Sequence, residues 1–125
     1  MEDSLKISTF PKSEKLCDFH RIQLLFREGS IIKKYPLKLL YLPTINENFS
    51  TQVLISVPKR KFKRAVHRNR IKRLIRESYR NQKHLLLIQK PLSLAFVYMG
   101  EELISYTQMH FLVGELLKQL SLMQK

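Results

Sequence analysis

The sequence predicts a single-domain α+β sandwich, in which helices cover one or both faces of a small sheet of three to four strands. Three observations support this fold class: an amphipathic run that ends at Gly29, an almost uncharged run rich in β-branched and aromatic residues at 93–99, and a second helical pattern after Tyr106. The 125 residues, 44% of them hydrophobic, are enough for one modest core. We expect a flexible lead-in at 1–13 and one folded domain at 14–123.

An N-terminal helix is the first predicted element. Its apolar residues recur at steps of three and four: Leu16, Phe19, Ile22, Leu25 and Phe26. Ser13 is the candidate N-cap, and Gly29 is the candidate residue that ends the helix. At this spacing Phe19 and Phe26 are assigned to the core by default.

Two strands are predicted next, at 37–42 and 52–57, with turn residues between them at 43–50. Their closeness along the chain favours a hairpin with a long connection. Pro58 ends the second strand, because proline has no amide hydrogen to donate to a sheet.

The segment 58–80 carries most of the charge of the chain. It holds eleven Lys and Arg and one acid, Glu77, so that +10 of the formal net charge of +13 falls within it. A helix is predicted from near Arg64 to Asn81. Viewed down that helix, one broad arc carries Arg68, Asn69, Lys72, Arg73, Arg76 and Arg80, and the opposite arc carries Ile71, Leu74, Ile75 and Ser78.

A helix face with charge of a single sign is costly, because like charges four residues apart destabilise an isolated helix by roughly 0.2–0.5 kcal/mol per pair. A bound polyanion removes this repulsion and gains from counterion release. A nucleic-acid partner is therefore favoured over a merely solvated face.

Asn69 leaves two interpretations of the basic helix open. It is either an N-cap that delays the start of the helix or an interior residue whose amide faces the ligand. The interior position is preferred, because Ala65 and Val66 already fit a helical pattern.

The last two predicted elements are a strand and a helix. The run at 93–99 is typical of a strand buried inside a sheet. After a turn at 100–105, residues at helical spacing predict a C-terminal helix that packs on the sheet: Tyr106, Met109, His110, Val113, Leu116, Leu117 and Leu120.

Composition excludes several classes of protein. Cys17 is the only cysteine, so an intramolecular disulfide is impossible, and no Cys/His cluster has the spacing of a structural zinc site. No apolar run approaches the roughly 18 residues of a membrane span, and we expect a soluble, cytoplasmic protein without membrane contact.

The residues needed for catalysis are also sparse. The four histidines are scattered, Glu101 and Glu102 lie in a predicted turn, and three glycines do not form a phosphate-binding loop. We therefore expect no catalytic residues and no metal site in the polypeptide, and we expect a partner to perform any associated reaction.

Two blocks of the basic segment carry a family resemblance. They read Ser56-Val57-Pro58-Lys59-Arg60 and then Arg64-Ala65-Val66-His67-Arg68-Asn69-Arg70-Ile71-Lys72-Arg73-Leu74-Ile75-Arg76-Glu77. Together, with Arg-Asn-Arg at the centre, they resemble the signature of the bacterial ribonuclease P protein component. The resemblance extends to the flanking elements and covers about residues 15 to 122.

The resemblance implies a small protein bound to a catalytic RNA, the two together removing the 5′ leader from precursor tRNA. In that family the RNA performs the hydrolysis and holds most of the magnesium, and the protein itself is expected to be monomeric. The implied fold resembles the second domain of ribosomal protein S5 and includes an unusual left-handed β-α-β crossover.

The resemblance also implies site residues. Those implied to contact the RNA subunit are Lys63, Arg64, Arg68, Asn69, Arg70, Lys72, Arg73 and Arg76. The cleft between the sheet and the first helix is implied to take the single-stranded leader, with Ile22, Phe26, Tyr35, Tyr41, Lys59 and Arg60 as contacts.

Two residues depart from the family pattern. Ile22 stands where the family commonly has Phe, so one leader-stacking ring is lost, and Phe19 is not expected to replace it on the same face. Pro58 replaces the usual small Ser or Ala before Lys59, which changes how the strand leads into the basic loop.

Two other functions compete with this one. A structural ribosomal protein that binds rRNA would use a basic helix equally well. A helix-turn-helix DNA reader fits less well, because a connection and a strand follow the basic helix at 81–94, where a compact helical domain should continue.

Overall fold

The computed structural model describes residues 14–44, 51–86 and 90–123, and it has the predicted α+β architecture. The helices are α1 (Phe19–Glu28), α2 (Ala65–Gln82) and α3 (Tyr106–Met123), and a short 3-10 helix, Lys83–Leu85, follows α2. The strands are β1 (Ser30–Lys34), β2 (Leu37–Pro43), β3 (Gln52–Ser56) and β4 (Leu92–Tyr98). The expected lead-in at 1–13 and most of the expected turn at 43–50 lie outside the described residues.

The four strands form one mixed sheet in the order β1-β2-β4-β3. β2 is antiparallel to both β1 and β4, whereas β3 is parallel to β4. The predicted hairpin between β2 and β3 is therefore wrong, because β4 lies between them. β1, which was not predicted, is the hairpin partner of β2 across the turn at Tyr35 and Pro36.

β4 is buried along its whole length, as predicted for the 93–99 run. Its alternate residues point to opposite faces. Leu94 and Phe96 belong to the larger core cluster, which includes α2 and α3, and Ala95 and Val97 belong to a smaller cluster with Leu25 of α1. We call these the α2/α3 face and the α1 face; helices cover both sides of the sheet.

α1 begins later than predicted. Its N-cap is Asp18, whose Oδ1 accepts hydrogen bonds from the amides of His20 (2.9 Å) and Arg21 (3.3 Å). The residues before Asp18 extend along β3, where the amide of Leu16 donates to the carbonyl of Val53 at 2.9 Å. Edge pairing and a carboxylate cap decide this boundary, and the proposed cap Ser13 lies outside the described residues.

The core assignment on α1 is correct for Leu25, which is fully buried, and wrong for both phenylalanines. Phe19 is 66% exposed and Phe26 is 46% exposed. Gly29 ends the helix, but its φ of −67° is ordinary. It is needed for close approach, because a Cβ at this position would lie 2.9 Å from Leu25 Cδ1 and 3.2 Å from the carbonyl oxygen of Tyr41.

α2 has nearly the predicted bounds. Ile71, Ile75 and Tyr79 are buried against the sheet, and Asn69 is an exposed interior residue, so the N-cap interpretation of Asn69 is wrong. At its C-terminal end, Gln82 Nε2 donates to the carbonyl of His110 on α3 at 2.8 Å. These contacts fix the orientation of α2 and leave its cationic side exposed.

Arg68 fastens the loop between β3 and α2. Its Nη1 donates to the carbonyl oxygens of Phe62 (2.7 Å) and Lys63 (2.9 Å), and the Phe62 ring is buried in the core. A positively charged donor that bridges two carbonyls is a strong hydrogen-bonding arrangement. Arg68 therefore has a structural role that the sequence did not indicate.

Replacing Leu25 with Ala should lower the free energy of unfolding by about 2–5 kcal/mol, because it leaves a cavity between α1 and the sheet. Phe19→Ala, the matched change at an exposed position, should cost less than about 0.5 kcal/mol. Urea denaturation of both variants measures the difference. Equal losses would place Phe19 in the core after all.

Arg68→Ala should cost about 1–2 kcal/mol, because the carbonyls of Phe62 and Lys63 lose their charged donor. Arg73→Ala, which removes the same charge from an exposed position of the same helix, should change stability by less than about 0.5 kcal/mol. Thermal and urea unfolding would test this, and indistinguishable variants would show that the Arg68 contacts do not hold the loop.

Candidate nucleic-acid interface

The exposed side of α2 is the most cationic surface among the described residues. The burial of Ile71, Ile75 and Tyr79 turns the opposite side of the helix outwards. We call that side the α2 cationic face: Asn69, Arg70, Lys72, Arg73, Arg76 and Arg80. The predicted arc is thus present with two changes: Arg68 lies at its edge and contacts the loop, and Arg70 joins the face.

The charge of this face is uncompensated. The ion pairs found among the described residues are Arg27 with Glu28, Lys61 with Glu101, Lys83 with Glu14 and Lys118 with Glu115. None involves the α2 cationic face, and within it Lys72, Arg76 and Arg80 follow one another at four-residue steps. A polyanion relieves the resulting repulsion.

Lys63 and Arg64 extend this surface at its N-terminal end. Both side chains are exposed, and Arg64 precedes the first turn of α2 without making a capping hydrogen bond from its side chain. With the α2 cationic face, they bring seven of the eight predicted RNA-subunit contacts to one continuous stretch of surface. The eighth is Arg68, described above.

A second candidate surface lies on the α1 face of the sheet. Residues directly opposite one another in neighbouring strands form rows, and one row consists of Lys33, Lys38, Val97 and Ser56. We call it the open row: Lys33 is exposed, Lys38 and Ser56 are partly exposed, and Val97 is buried in the smaller core cluster. The adjacent row, Leu40, Ala95 and Leu54, is covered by α1 through the smaller core cluster.

The orientation of α1 follows from its contacts at both ends. Leu16, just before the helix, is bonded to β3, and Gly29, just after it, approaches β2, so α1 runs along the rows and across the strands. Arg21 donates to Gln52 and, at 2.9 Å, to Ser93 Oγ. Gln52 and Ser93 are paired with each other beyond the covered row, so that the covered row lies between them and the open row.

The opposite flank of α1 faces the open row. Phe19, Ile22 and Phe26 lie on this flank, since residues seven apart on a helix differ in direction by only about 20°. The open row and this flank together form what we call the α1 cleft. Phe19 is on the same side as Phe26, contrary to the expectation from sequence that it would not replace the missing ring.

Lys59 and Arg60 stand at one end of the α1 cleft. They are exposed in the turn that follows β3, three residues beyond Ser56 of the open row, and the carbonyl of Pro58 closes this turn by accepting from the amides of Lys61 (3.3 Å) and Phe62 (3.4 Å). Lys61 Nζ fixes the turn to the segment just after β4 by donating to the carbonyl of Met99 at 3.1 Å. Pro58 is thus accommodated at the start of a loop.

The two tyrosines expected in the leader cleft lie elsewhere. Tyr41 is 7% exposed and belongs to the core of the α2/α3 face, so the assignment of its ring to the α1 cleft is wrong. Alternation along β2 explains this, since Leu40 occupies the α1 face. Tyr35 is 72% exposed in the β1–β2 turn, beside an open pocket of about 290 Å³ lined by Glu101 and Glu102.

Two lysines of the open row were missed by the sequence interpretation. Lys33 and Lys38 are direct cross-strand partners, and like charges in such a pair repel each other. They are equidistant from the turn at Tyr35 and Pro36, so a hairpin centred on that dipeptide would have paired them. The sequence analysis missed this pair because it did not predict β1, the strand that carries Lys33.

Two buried tyrosines have raised pKa values. Burial, with the nearby charge of Glu14, raises the pKa of Tyr79 far above its ordinary value, and burial raises the pKa of Tyr98, assisted by Tyr35 and Glu102. Both phenols stay protonated at neutral pH. Within 14–44, 51–86 and 90–123, no three His, Cys, Asp or Glu residues are grouped as a metal site would require. In the same ranges, no helix has the length and apolar character to cross a membrane.

Comparisons with known proteins agree on one family. The family model "Ribonuclease P" matches residues 10–121. A ribonuclease P protein component from Porphyromonas gingivalis is 41% identical over 98 residues, which cover 74% of this chain and 72% of the relative. Another, from Chlorobium phaeobacteroides, is 41% identical over 86 residues, covering 66% and 59%.

Solved structures show the same fold. The RNase P protein from Thermotoga maritima superposes with a TM-score of 0.71 at 22% identity, covering 85% of this chain and 96% of that one. The RNase P protein from Staphylococcus aureus gives a TM-score of 0.71 at 20% identity, covering 86% and 95%. The resemblance noted in the basic segment is confirmed, and the chain belongs to the ribonuclease P protein family.

Proposed function

We propose that this subunit of ribonuclease P binds the catalytic RNA through the α2 cationic face and the 5′ leader of precursor tRNA through the α1 cleft. The observation that carries the proposal is the uncompensated charge of α2: a row of Lys and Arg without acidic partners among the described residues. The subunit thereby assists endonucleolytic removal of the leader, which yields the mature tRNA 5′ end.

The two surfaces suit two kinds of RNA contact. The α2 cationic face offers charge on a rigid helix, which favours the phosphates of a folded RNA. The α1 cleft combines the lysines of the open row with the exposed rings of Phe19 and Phe26. Aromatic stacking is tolerant of sequence, and this suits a single-stranded leader that differs from one precursor to the next.

Electrostatics also supports a division of labour between protein and RNA. We propose that the RNA performs the hydrolysis and that magnesium is held mainly by RNA, because Mg²⁺ is usually bound through carboxylates and phosphates and the α2 cationic face contains no carboxylate. The protein lowers the repulsion between the RNA subunit and the leader when the two are brought together. If roughly six phosphates are neutralised, binding should weaken a few hundredfold between 50 and 200 mM salt.

The competing functions have less support. The relatives and solved structures described above are named as ribonuclease P proteins, whereas a structural ribosomal protein has only the basic helix in its favour. In a DNA-reading helix-turn-helix, a short turn joins the recognition helix to a helix that precedes it in the chain, whereas the element that precedes α2 is β3 and the strand β4 follows its short 3-10 helix.

The double variant Arg70→Gln/Arg73→Gln should weaken binding to the RNA subunit roughly tenfold or more and lower the slope of log affinity against log salt by about 1.5, since two phosphate contacts are lost. The measurement is filter binding at several salt concentrations. Lys90→Gln/Lys118→Gln removes the same charge from exposed positions outside α2 and is the matched control. Equal effects of both pairs would mean that only net charge matters.

The variants Phe19→Ala and Phe26→Ala should each weaken binding of leader-bearing precursor by an amount corresponding to about 1–3 kcal/mol and leave binding of mature tRNA nearly unchanged, because each removes one stacking platform. Holoenzyme reconstituted with each variant supplies both affinities. Phe111→Ala, which truncates a ring that is 60% exposed on α3, controls for loss of an exposed aromatic residue. Equal losses for precursor and mature tRNA would contradict a leader contact.

A further inference from the structure

An open pocket of about 250 Å³ lies at the outer edge of β3, separate from the α1 cleft. Three parts of the chain line it. Lys15 and Cys17 come from the segment before α1, Ile55 comes from β3, and Lys72 and Arg76 come from α2. The pocket therefore forms only when the N-terminal segment is paired with β3 and α2 is packed on the sheet.

The charge in this pocket is of one sign. Lys15, Lys72 and Arg76 converge on it, no acidic residue lines it, and none of the three forms an ion pair with a described residue. Three like charges around a small concave space repel one another, because low-dielectric walls strengthen their fields. An anion of about the size of a phosphate group removes this repulsion.

The edge of β3 adds a backbone donor. The carbonyl of Val53 points outwards, since it accepts from the amide of Leu16, and the backbone groups of Ile55 point the same way two residues later. The pairing of β3 with the N-terminal segment is limited to the bridge between Lys15 and Val53 among the described residues. The amide of Ile55 is thus directed into the pocket alongside the cations.

We propose that this pocket binds one phosphate group of the RNA backbone and that Lys15 is a contact for it, together with Lys72, Arg76 and the amide of Ile55. This inference rests on the proposed RNA-binding function and adds a defined site to it. It assigns a role to Lys15, which lies 49 residues before Arg64 and outside the basic segment. An extended peptide added to the β3 edge is a weaker candidate, because it does not neutralise three positive charges.

The single cysteine of the chain provides a direct test, because exposed Cys17 lines the pocket. The rate of its alkylation by iodoacetamide is measured on the full chain, free and with the transcribed RNA subunit. The expected result is that the RNA slows alkylation several-fold. A variant with Cys17→Ser and Gln119→Cys, which moves the thiol to an exposed position on α3, should react at the same rate with and without RNA.

The outcomes separate this inference from the proposed function. If the RNA binds but Cys17 reacts at its free rate, the pocket proposal is overturned and the RNA-binding function stands. If no RNA binds, both are overturned. Protection by a protein competitor and not by RNA would identify the pocket as a peptide-docking edge and would also overturn the proposal.

A charge variant tests the phosphate contact itself. Lys15→Gln should weaken binding of the RNA subunit several-fold and lower the salt slope by about 0.7–0.9, the value for one phosphate contact. Lys118→Gln, which removes one charge from a side chain that is 61% exposed on α3, should leave the slope unchanged. Identical slopes for the two variants, with native circular dichroism spectra, would overturn the assignment of Lys15.

Discussion

The burial of the apolar stripe of α2 is the constraint on which the rest of the structure depends. Full burial of a side chain such as Ile71 or Ile75 contributes about 1.5–3 kcal/mol, whereas each like-charge pair on the opposite side costs roughly 0.2–0.5 kcal/mol. Burial of two isoleucines and Tyr79 therefore outweighs the repulsion along the α2 cationic face. The fold can hold a row of like charges in place before any RNA is present, and binding need not order the helix.

The interior position of β4 in the sheet explains why the two proposed RNA-binding surfaces coexist in so short a chain. A strand buried on both faces requires cover on both, and the chain supplies α2 and α3 on one side and α1 on the other. α1 is only ten residues long and covers part of its face, which leaves Lys33 of the open row exposed and Lys38 and Ser56 partly exposed beside it. The loop at 58–64 connects the two surfaces, because it begins at the end of the open row and leads into α2. A protein built this way presents positive charge on both sides of one sheet.

How much of this the sequence could predict depends on whether the deciding contact is local. α2, α3 and β4 were predicted because their apolar residues follow helical spacing or form an uninterrupted run, and both patterns are visible within about 20 residues. The pairing of β3 with β4 could not be read in this way, since the two strands are parallel and α2 lies between them. The prediction that the Tyr41 ring lies in the α1 cleft was wrong for a related reason. The face to which a strand residue points depends on the register of the sheet and on which helix covers which face. The start of α1 was predicted too early because Leu16 is bonded to Val53 at the edge of the sheet, a contact that no local pattern contains.

The missing ring at position 22 is a different case, because the spacing that compensates for it is local. Ile22 stands where the family commonly has Phe, which removes an aromatic contact from the first helix, and Phe19 was not expected to replace it. Phe19 and Phe26 both lie within α1 and are seven residues apart, so Phe19 points to the same flank as Phe26. Ile22 lies between the two rings and packs partly against the smaller core cluster, so it helps to seat α1 on the sheet, while Phe19 and Phe26 remain exposed at either end of the flank. With Ile22 packed on the sheet and a phenylalanine on either side of it, the α1 cleft keeps two exposed rings. These rings are separated by about 10 Å along a helix of 1.5 Å rise per residue, which exceeds the distance between stacked neighbouring bases. The rings are therefore suited to bases that are splayed apart, as they are in an extended single strand.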